Sequence, residues 1–540
     1  MAVSVAGLIA VIVFYVAILV VGIIAGRKTT RTQDTNEMFL ANRNMGALVA
    51  FFTLTATMVG GGFINGTAEM MYTSGFVWVQ APIGYNLALI IARFVSLQAV
   101  SFFAEKVRRS GYVTMFDPFQ NKYGTRIGAL LFILSCWEIC SDGIHTIRSW
   151  CVVSVILGLN ATISIIISAC IAVAYTFLGG LYSVRYTDVL QMICIALGLF
   201  LAFPFALTND AVDLSTLSVR WRGEVRTSEK IGLFLDSYLL LIMGGIPWQT
   251  YFQRVLACRT PQIAKWASVG GGIAAAIQAI PPMAIGAAVM AADLNQTEYR
   301  GPIPITGPER SLILPIGLQY LCPTAVSVIG LGAVSAAVMS SADSCILSTS
   351  SVFAHNIWRN ILRPNASNSE LIWVLRVGIL IARILGSLIG IVVTTVYGLF
   401  FLCSDLIYVI NFPQLVSVLW IRVSNSYGCI AGYLVGFFLR ITGGEPLIGI
   451  PSLIKYPLYD EVMGQRFPFK TCAMLCSLFT IFAVSYVTDY VFRNGILDRK
   501  FDFLNCAVRE DERPEALRDS DKDGDKRAPL ATENISLNPM

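Results

Sequence analysis

The chain has 540 residues, of which 55% are hydrophobic and only 14% are charged, and its mean hydropathy is +0.67. Soluble domains carry about 25% charged residues, so this composition excludes an ordinary soluble globular protein. Only two histidines are present, and no constellation of metal ligands or activated nucleophile accompanies them, which argues against an enzyme. We therefore expect no organic cofactor and no nucleic-acid partner.

Repeated apolar runs of about 18 or more residues predict an all-α polytopic membrane protein with about thirteen transmembrane helices. The first runs from Val3 to Ala25 and is long enough to span, so we interpret it as a retained helix. Short basic loops follow the odd-numbered helices, which predicts an external N-terminus and a cytoplasmic tail by the positive-inside rule. The other predicted spans are approximately 46–70, 77–104, 127–157, 163–182, 187–207, 231–252, 267–291, 314–352, 371–395, 397–421, 427–440 and 471–492.

The sequence also predicts the domain boundary, the nature of the C-terminal tail and one glycosylation site. Residues 1–495 form the expected transmembrane transporter domain. Residues 496–540 are charge-rich and poor in aromatics, which predicts a disordered cytoplasmic tail able to recruit trafficking adaptors. The tripeptide Asn295-Gln296-Thr297 falls in a predicted external loop, so Asn295 is a candidate glycosylation site.

Two apolar segments contain residues that interrupt a helix. Three consecutive glycines, Gly60 to Gly62, lie inside the second predicted span, and each costs about 1 kcal/mol in a helix. The sequence Gly244-Gly245-Ile246-Pro247-Trp248 interrupts the seventh span. Broken helices at corresponding places in two halves of a membrane protein indicate the substrate and ion site of a transporter. Close helix packing by small residues is the alternative for each glycine run taken alone.

The ninth predicted span contains a run of small and hydroxyl residues from Gly332 to Ser344. Adjacent hydroxyls offer oxygen ligands to a hard cation such as sodium. Close packing of small residues against another helix is an equally good interpretation of residue type alone. Asp343 favours the ion site, because an ionisable group at membrane depth is a functional hypothesis by default, although near a helix end it can serve as a cap or pair.

Six segments of the sequence resemble the choline-transporting members of the sodium:solute symporter family. They are Ala56–Glu69, Gln80–Tyr85, Gly111–Gln120, Gly179–Asp188, Gly244–Arg254 and Gly332–Ser344. The resemblance implies a LeuT-like inverted five-plus-five repeat with broken helices, over approximately 46–207 and 231–421. It also implies sodium-coupled, chloride-dependent uptake of choline across the plasma membrane of presynaptic terminals, where it supplies acetylcholine synthesis, with a further pool in vesicles.

The same resemblance implies a sodium site between the broken second helix and the ninth. The backbone carbonyls of Ala56 and Val59 would face Ala337, Ser340 and Ser341. Asp188 is similar to the acidic residue on the family's sodium release path. The alternative for Asp188 is a local ion pair with Arg185 at the cytoplasmic end of its helix.

The choline pocket of the family is an aromatic cage, which suits a quaternary ammonium because its nitrogen has no hydrogen-bond donor. Tyr85 and Trp248 match cage positions. Met58 and Ser141 stand where the family has tryptophan, and methionine lacks the ring quadrupole that holds an ammonium face-on. Asp142 could replace the lost attraction by direct charge, or it could pair with His145 one turn away.

Other classes of function stay open at this point. A paralogue could carry another small organic cation or a neutral solute, and a symporter fold could have lost transport. A membrane sensor that works through its tail is a different class again. Membrane lipid surrounds any of these proteins, and a homo-oligomer is compatible with all of them.

Overall fold

The computed structural model describes residues 5–29, 35–94, 107–132, 161–224, 228–392, 401–402, 404–445, 449–461 and 464–504. Most of these residues are helical, and within the described ranges the pairing of extended backbone is limited to isolated bridges. In chain order the α-helices are α1 (Val5–Thr29), α2 (Thr35–Leu40), α3 (Ala47–Met58), α4 (Gly61–Ser74), α5 (Gln80–Phe94), α6 (Asp117–Tyr123), α7 (Ala161–Leu207), α8 (Leu214–Arg220), α9 (Ser228–Gly244), α10 (Gln249–Ala257), α11 (Pro261–Gln278), α12 (Ile280–Ala291), α13 (Ile313–Tyr320), α14 (Thr324–Val352), α15 (Asn368–Val392), α16 (Phe412–Trp420), α17 (Ser426–Thr442) and α18 (Phe469–Arg493). Two π-helical segments, Phe353–Leu362 and Ile407–Asn411, continue α14 and precede α16.

Six stretches within the described ranges are long and apolar enough to cross a membrane. They are Gly179–Leu207, Ile231–Ala257, Pro261–Ala291, Thr324–Leu362, Asn368–Leu388 and Phe469–Arg493. The pair α3 and α4, bent by 49°, makes a seventh when it is counted as one broken span. The predicted span at 127–157 lies mostly outside the described residues, and the one at 397–421 lies partly outside them. An all-helical membrane protein is therefore confirmed, whereas the number of thirteen transmembrane helices stays a prediction.

One predicted boundary between spans is replaced by a kink. The sequence predicts separate helices at 163–182 and 187–207, whereas α7 runs from Ala161 to Leu207 with a break at Gly180. Gly180 has φ 49° and ψ −138°, a backbone conformation that residues other than glycine rarely adopt. A Cβ at this position would also lie 2.7 Å from the Met38 carbonyl oxygen. The chain thus changes direction at one glycine instead of in a loop.

The glycine run of the second span breaks the helix as predicted. α3 ends at Met58 and α4 begins at Gly61, with Val59 (φ −84°, ψ 62°) and Gly60 (φ −88°, ψ 177°) between them. Gly60 is required by packing, because a Cβ there would lie 2.6 Å from the Ser341 Cβ. The break therefore also lets α14 approach closely.

The second predicted break separates α9 from α10. α9 ends at Gly244, and α10 begins after Trp248, whose φ of −102° and ψ of 117° are extended. Ile231–Ala257 nevertheless forms a single apolar span of 27 residues. Trp248 is consequently placed at an interruption within this apolar span rather than at either of its ends.

A polar network joins the resembling motif at 111–120 to the end of the α14 span. The Asn356 amide nitrogen donates to Asp117 Oδ1 at 2.8 Å and to Gln120 Oε1 at 2.8 Å. The Met115 backbone N–H donates to Gln249 Oε1 at 2.9 Å, directly after Trp248. Through the 111–120 motif, these bonds connect α10 to the π-helical segment that continues α14.

Candidate functional site

Two of the groups predicted to bind sodium, the Ala56 carbonyl and the Ser340 hydroxyl, meet where the first break contacts α14. Ser340 Oγ is 3.3 Å from the Ala56 carbonyl oxygen, and Ser341 Oγ is 3.2 Å from the Ala337 carbonyl oxygen. Ala56, Val59, Ala337 and Ser340 are fully buried. Val59 is the residue after the end of α3: its N–H still donates to the Thr55 carbonyl at 2.9 Å, whereas its own carbonyl lies beyond the last helical residue. Ser340 of α14 thus contacts Ala56 of α3, and Ser341 packs against Gly60 in the break, so this junction supplies carbonyl and hydroxyl oxygens, the ligand type that a hard cation requires.

Asp188 extends this oxygen cluster and forms an ion pair that the sequence did not reveal. Asp188 Oδ1 accepts a hydrogen bond from Ser340 Oγ at 2.7 Å, and its Oδ2 accepts one from the Thr53 hydroxyl. Its counter-charge is Arg254, whose Nη2 lies 3.2 Å from Oδ2, and both side chains are completely buried. A buried carboxylate in this environment needs such a partner to remain charged.

The alternative pairing of Asp188 with Arg185 is wrong. The Arg185 guanidinium carbon instead lies over two tyrosine rings, 3.9 Å from the centre of Tyr182 and 4.9 Å from that of Tyr186. Arg254 ends the segment Gly244–Arg254 that resembles the family, but the sequence alone assigned it no role. Its signal in the sequence was available, because an arginine inside an apolar span is expensive unless it is paired.

Asp343, the other predicted acidic residue, contacts a different helix. It is buried in α14 and accepts a hydrogen bond from the Tyr175 hydroxyl of α7. No hydrogen bond connects it with Asp188 or Ser340 among the described contacts of these residues. Asp343 therefore lies on the same helix as the predicted sodium ligands but joins a separate polar contact.

The predicted cage residues Tyr85 and Trp248 both line a cavity of about 50 Å³ beside the oxygen cluster. Their ring centres are 5.6 Å apart with an interplanar angle of 67°, an edge-to-face arrangement. The described residues that line this cavity are Thr57, Met58, Gly60, Gly62, Phe63, Tyr85, Trp248, Thr250, Tyr251, Ser341 and Cys345. Ser341 belongs to both the cavity lining and the oxygen cluster, so the two lie side by side.

The cavity lining includes one position at which this sequence differs from the resembled family, and two aromatic residues that the sequence analysis did not single out. Met58 lies in the lining at the end of α3, where the resemblance expects a tryptophan. Phe63 and Tyr251 add two aromatic rings that were not predicted. Both lie within two turns of a helix break, where the direction of a side chain no longer follows from simple helical periodicity.

Of three further predicted positions, the structure describes Asn295 but not the other two. Ser141 and Asp142 lie outside the described residues. Asn295 is exposed in a short turn at Leu294–Gln296, and its side-chain amide nitrogen donates to Asp293 Oδ1 at 3.0 Å. Hydrogen bonds from Gln296 and Asn295 lower the pKa of the Asp293 carboxyl, so this turn is held by a charged acceptor.

Comparison with known proteins identifies the relatives of this chain. The Sodium:solute symporter family matches residues 38–436. The chain is 46% identical to high-affinity choline transporter 1 of Drosophila melanogaster, over 98% of this chain and 86% of that relative. It is also 46% identical to high affinity choline transporter 1 of Homo sapiens, over 100% of this chain and 93% of that relative.

A solved structure supports the same architecture. A Na+-coupled sialic acid symporter in a substrate-bound outward-open state matches with a TM-score of 0.72 and 17% sequence identity, over 89% of this chain and 98% of that chain. At this identity the likeness concerns the fold alone. The relatives are transporters rather than enzymes. The match over residues 38–436 and the near full-length relatives lead to one conclusion: this chain is a multi-pass membrane protein that belongs to the sodium:solute symporter family.

Proposed function

We propose that this protein is a symporter that couples the inward movement of sodium to the uptake of choline. The observation that carries the proposal is an aromatic cavity, with Tyr85 and Trp248 in edge-to-face contact, directly beside a buried cluster of backbone and serine oxygens. The full-length relatives named as high-affinity choline transporters support choline as the solute.

The chemistry of the cavity matches a quaternary ammonium ion. Choline carries a positive charge on a nitrogen without hydrogens, so aromatic faces replace hydrogen-bond acceptors, each contributing about 0.5–2 kcal/mol. The described lining includes the rings of Phe63, Tyr85, Trp248 and Tyr251 but no charged side chain. The Thr250 hydroxyl, which contacts Ser348 Oγ at 2.9 Å, also lines the cavity and is the proposed partner of the alcohol end of the substrate.

Sodium would couple to the substrate by joining two helices at the edge of the cavity. The proposed ligands are the carbonyls of Ala56, Val59 and Ala337 with the hydroxyls of Ser340 and Ser341. An ion bound there holds the broken span α3–α4 against α14 and so stabilises the outward-open state. Asp188 of α7 lies on the path by which sodium leaves toward the cytoplasm, and Asp343 of α14 contributes to gating.

Several finer features belong to the same proposal. They are thirteen transmembrane helices, an inverted repeat over approximately 46–207 and 231–421, an external N-terminus and a cytoplasmic tail from residue 496. Chloride dependence, a plasma-membrane location at presynaptic terminals and vesicles, and a supply of choline for acetylcholine synthesis complete it. Trafficking adaptors are the proposed partners of the tail, and self-association into a homo-oligomer is compatible with it.

Uptake of radiolabelled choline in cells that express the chain tests the proposal directly. Uptake is measured with sodium present and with sodium replaced, and is normalised to the protein labelled at the cell surface. Saturable uptake that requires sodium is the expected result. Absence of sodium-dependent choline uptake, with protein at the surface, would overturn the proposal and favour either another solute or a sensor.

Met58 supports one alternative, a symporter retuned for another small organic cation or neutral solute. The change Met58→Trp restores a ring at this position and is expected to lower the KM for choline about three- to tenfold, because one added cation–π contact contributes about 1 kcal/mol. Kinetics of choline uptake measure the effect, with Met58→Leu as a control of similar volume. Uptake only by the tryptophan variant would identify a protein whose native substrate is not choline.

The external loop offers a prediction about topology. Asn295→Gln is expected to abolish a shift in electrophoretic mobility caused by peptide N-glycosidase F, because Asn295 is exposed in a loop proposed to face the outside. Asn365→Gln, at the sequon Asn365-Ala366-Ser367 on the proposed cytoplasmic side, serves as the control and should leave the shift intact. A shift that depends on Asn365 instead would reverse the proposed orientation.

A further inference from the structure

The hydroxyl of Ser404 contacts the hydroxyl of Tyr85 although 319 residues separate them along the chain. We propose that Ser404 is a positioning residue of the substrate cage: it fixes the Tyr85 ring and thereby sets affinity for the quaternary ammonium. This inference rests on the proposed function. Ser404 itself is absent from the described cavity lining, so it acts through Tyr85 rather than by touching the substrate.

The Tyr85 ring is confined at its sides by the second helix break. A Cβ on Gly245 would lie 2.9 Å from Tyr85 Cδ1 and 3.1 Å from its Cε1, so the ring packs directly on the backbone there. The Trp248 ring stands edge-on with a centre 5.6 Å away. Ser404 contacts the phenol end of the same ring, and this contact helps to set the direction of the ring.

The segment that carries Ser404 is itself pressed against the same break. A Cβ on Gly244 would lie 2.5 Å from the Ser404 carbonyl oxygen and 3.2 Å from Tyr408 Cβ. Ser404 is completely buried. A π-helical segment begins three residues later, at Ile407, and such segments occur frequently at functional sites. Ser404 therefore connects the break to the phenol with little freedom to move.

Charges from the last two helices anchor this segment at the neighbouring residue. Asp405 is buried, and its Oδ2 lies 2.6 Å from Arg440 Nε of α17 and 2.9 Å from Lys470 Nζ of α18. Arg440 is also buried and also pairs with Glu445. Two helices outside the proposed inverted repeats thus hold the residue next to Ser404. Buried ion pairs are costly to separate. The pairs of Asp405 with Arg440 and Lys470 therefore keep the neighbouring Ser404 hydroxyl in contact with Tyr85.

The test compares Ser404→Ala with Tyr85→Phe, since each removes one partner of the bond and leaves the ring in place. Each is expected to raise the KM for choline about three- to tenfold, with the maximal rate per surface molecule within about twofold. The double variant should be no worse than either single variant, because both lose the same interaction. Ser417→Ala is the matched control: Ser417 is buried in α16, thirteen positions later in the chain, and donates to the Pro413 carbonyl at 2.7 Å.

Two further readouts separate positioning from a general structural role. The sodium concentration for half-maximal uptake should stay unchanged, since Ser404 is not among the oxygens proposed to bind sodium. Stabilisation of the purified full-length protein against thermal unfolding by choline in sodium should shift to higher choline concentration in both variants. Additive effects on KM, an unchanged KM, or an equal loss from Ser417→Ala would overturn the positioning role.

The binding measurement also separates this inference from the proposed function. Native protein that is stabilised by choline but does not take it up would refute the transport proposal while leaving the role of Ser404 supported if the variants bind more weakly. Native protein that choline does not stabilise would overturn the role of Ser404 in a quaternary ammonium cage, whatever the uptake shows.

Discussion

Replacing Arg254 by methionine is expected to abolish sodium-dependent uptake and to lower the free energy of unfolding by about 3–5 kcal/mol. Arg254 is the counter-charge of Asp188, and both side chains are fully buried. Methionine preserves much of the arginine stem but leaves the carboxylate uncompensated in a low-dielectric interior. Arg254 also donates to the Thr250 carbonyl at 3.2 Å and to the Ser344 hydroxyl, so its loss releases α10 from α7 and α14.

The measurement combines surface biotinylation, thermal unfolding of the purified protein and choline uptake. Arg259→Met makes the same chemical change just after α10, where the side chain is exposed, and should leave all three nearly unchanged. Normal surface amounts and normal uptake in Arg254→Met would contradict the expectation.

A double variant separates the structural role of this pair from its role in transport. Arg254→Met combined with Asp188→Asn removes both charges and should recover most of the lost stability, since no unpaired ion remains buried. Uptake should stay absent, because the carboxylate on the proposed sodium path is gone. Recovery of uptake together with stability would show that the pair serves folding alone.

The helix breaks and part of the cage could be predicted because their causes are local. Gly60 to Gly62 and the stretch Gly244 to Trp248 act on the backbone of their own segment, so the sequence contains the whole cause. Tyr85 and Trp248 could be assigned by resemblance, and both line the cavity. The break at Gly180 was missed as a kink, because the close approach of Met38 that accompanies it is a tertiary contact.

Residues that meet across long separations could not be predicted in this way. Asp188 pairs with Arg254, 66 positions away, although Arg185 lies only one turn from it in sequence. Proximity in sequence favoured the wrong arginine, and the aromatic side chains of Tyr182 and Tyr186 compete for it. The contact of Tyr85 with Ser404 is more distant still. Such pairs depend on how helices are arranged, which single-sequence periodicity does not encode.

Ser340 connects the two parts of the proposed ion pathway, and this position leads to the second large expected effect. Its hydroxyl oxygen lies 3.3 Å from the Ala56 carbonyl oxygen and 2.7 Å from Asp188 Oδ1. Ser340→Ala removes one proposed sodium ligand and one bond to the buried carboxylate. Because a hydrogen bond to a charged group contributes about 1.5–3 kcal/mol, the sodium concentration for half-maximal uptake should rise about tenfold or more.

Ser350→Ala provides the control for this change, because it distinguishes loss of an ion ligand from loss of a buried serine. Ser350 is buried on the same helix and donates to the Ile346 carbonyl at 2.7 Å, ten positions from Ser340. Its loss should leave the sodium dependence as in the native protein. In Ser340→Ala, high sodium should restore much of the uptake rate, since a weakened site fills at a higher concentration. An unchanged sodium dependence in Ser340→Ala would remove Ser340 from the ion site and leave the Asp188–Arg254 pair as a purely structural contact.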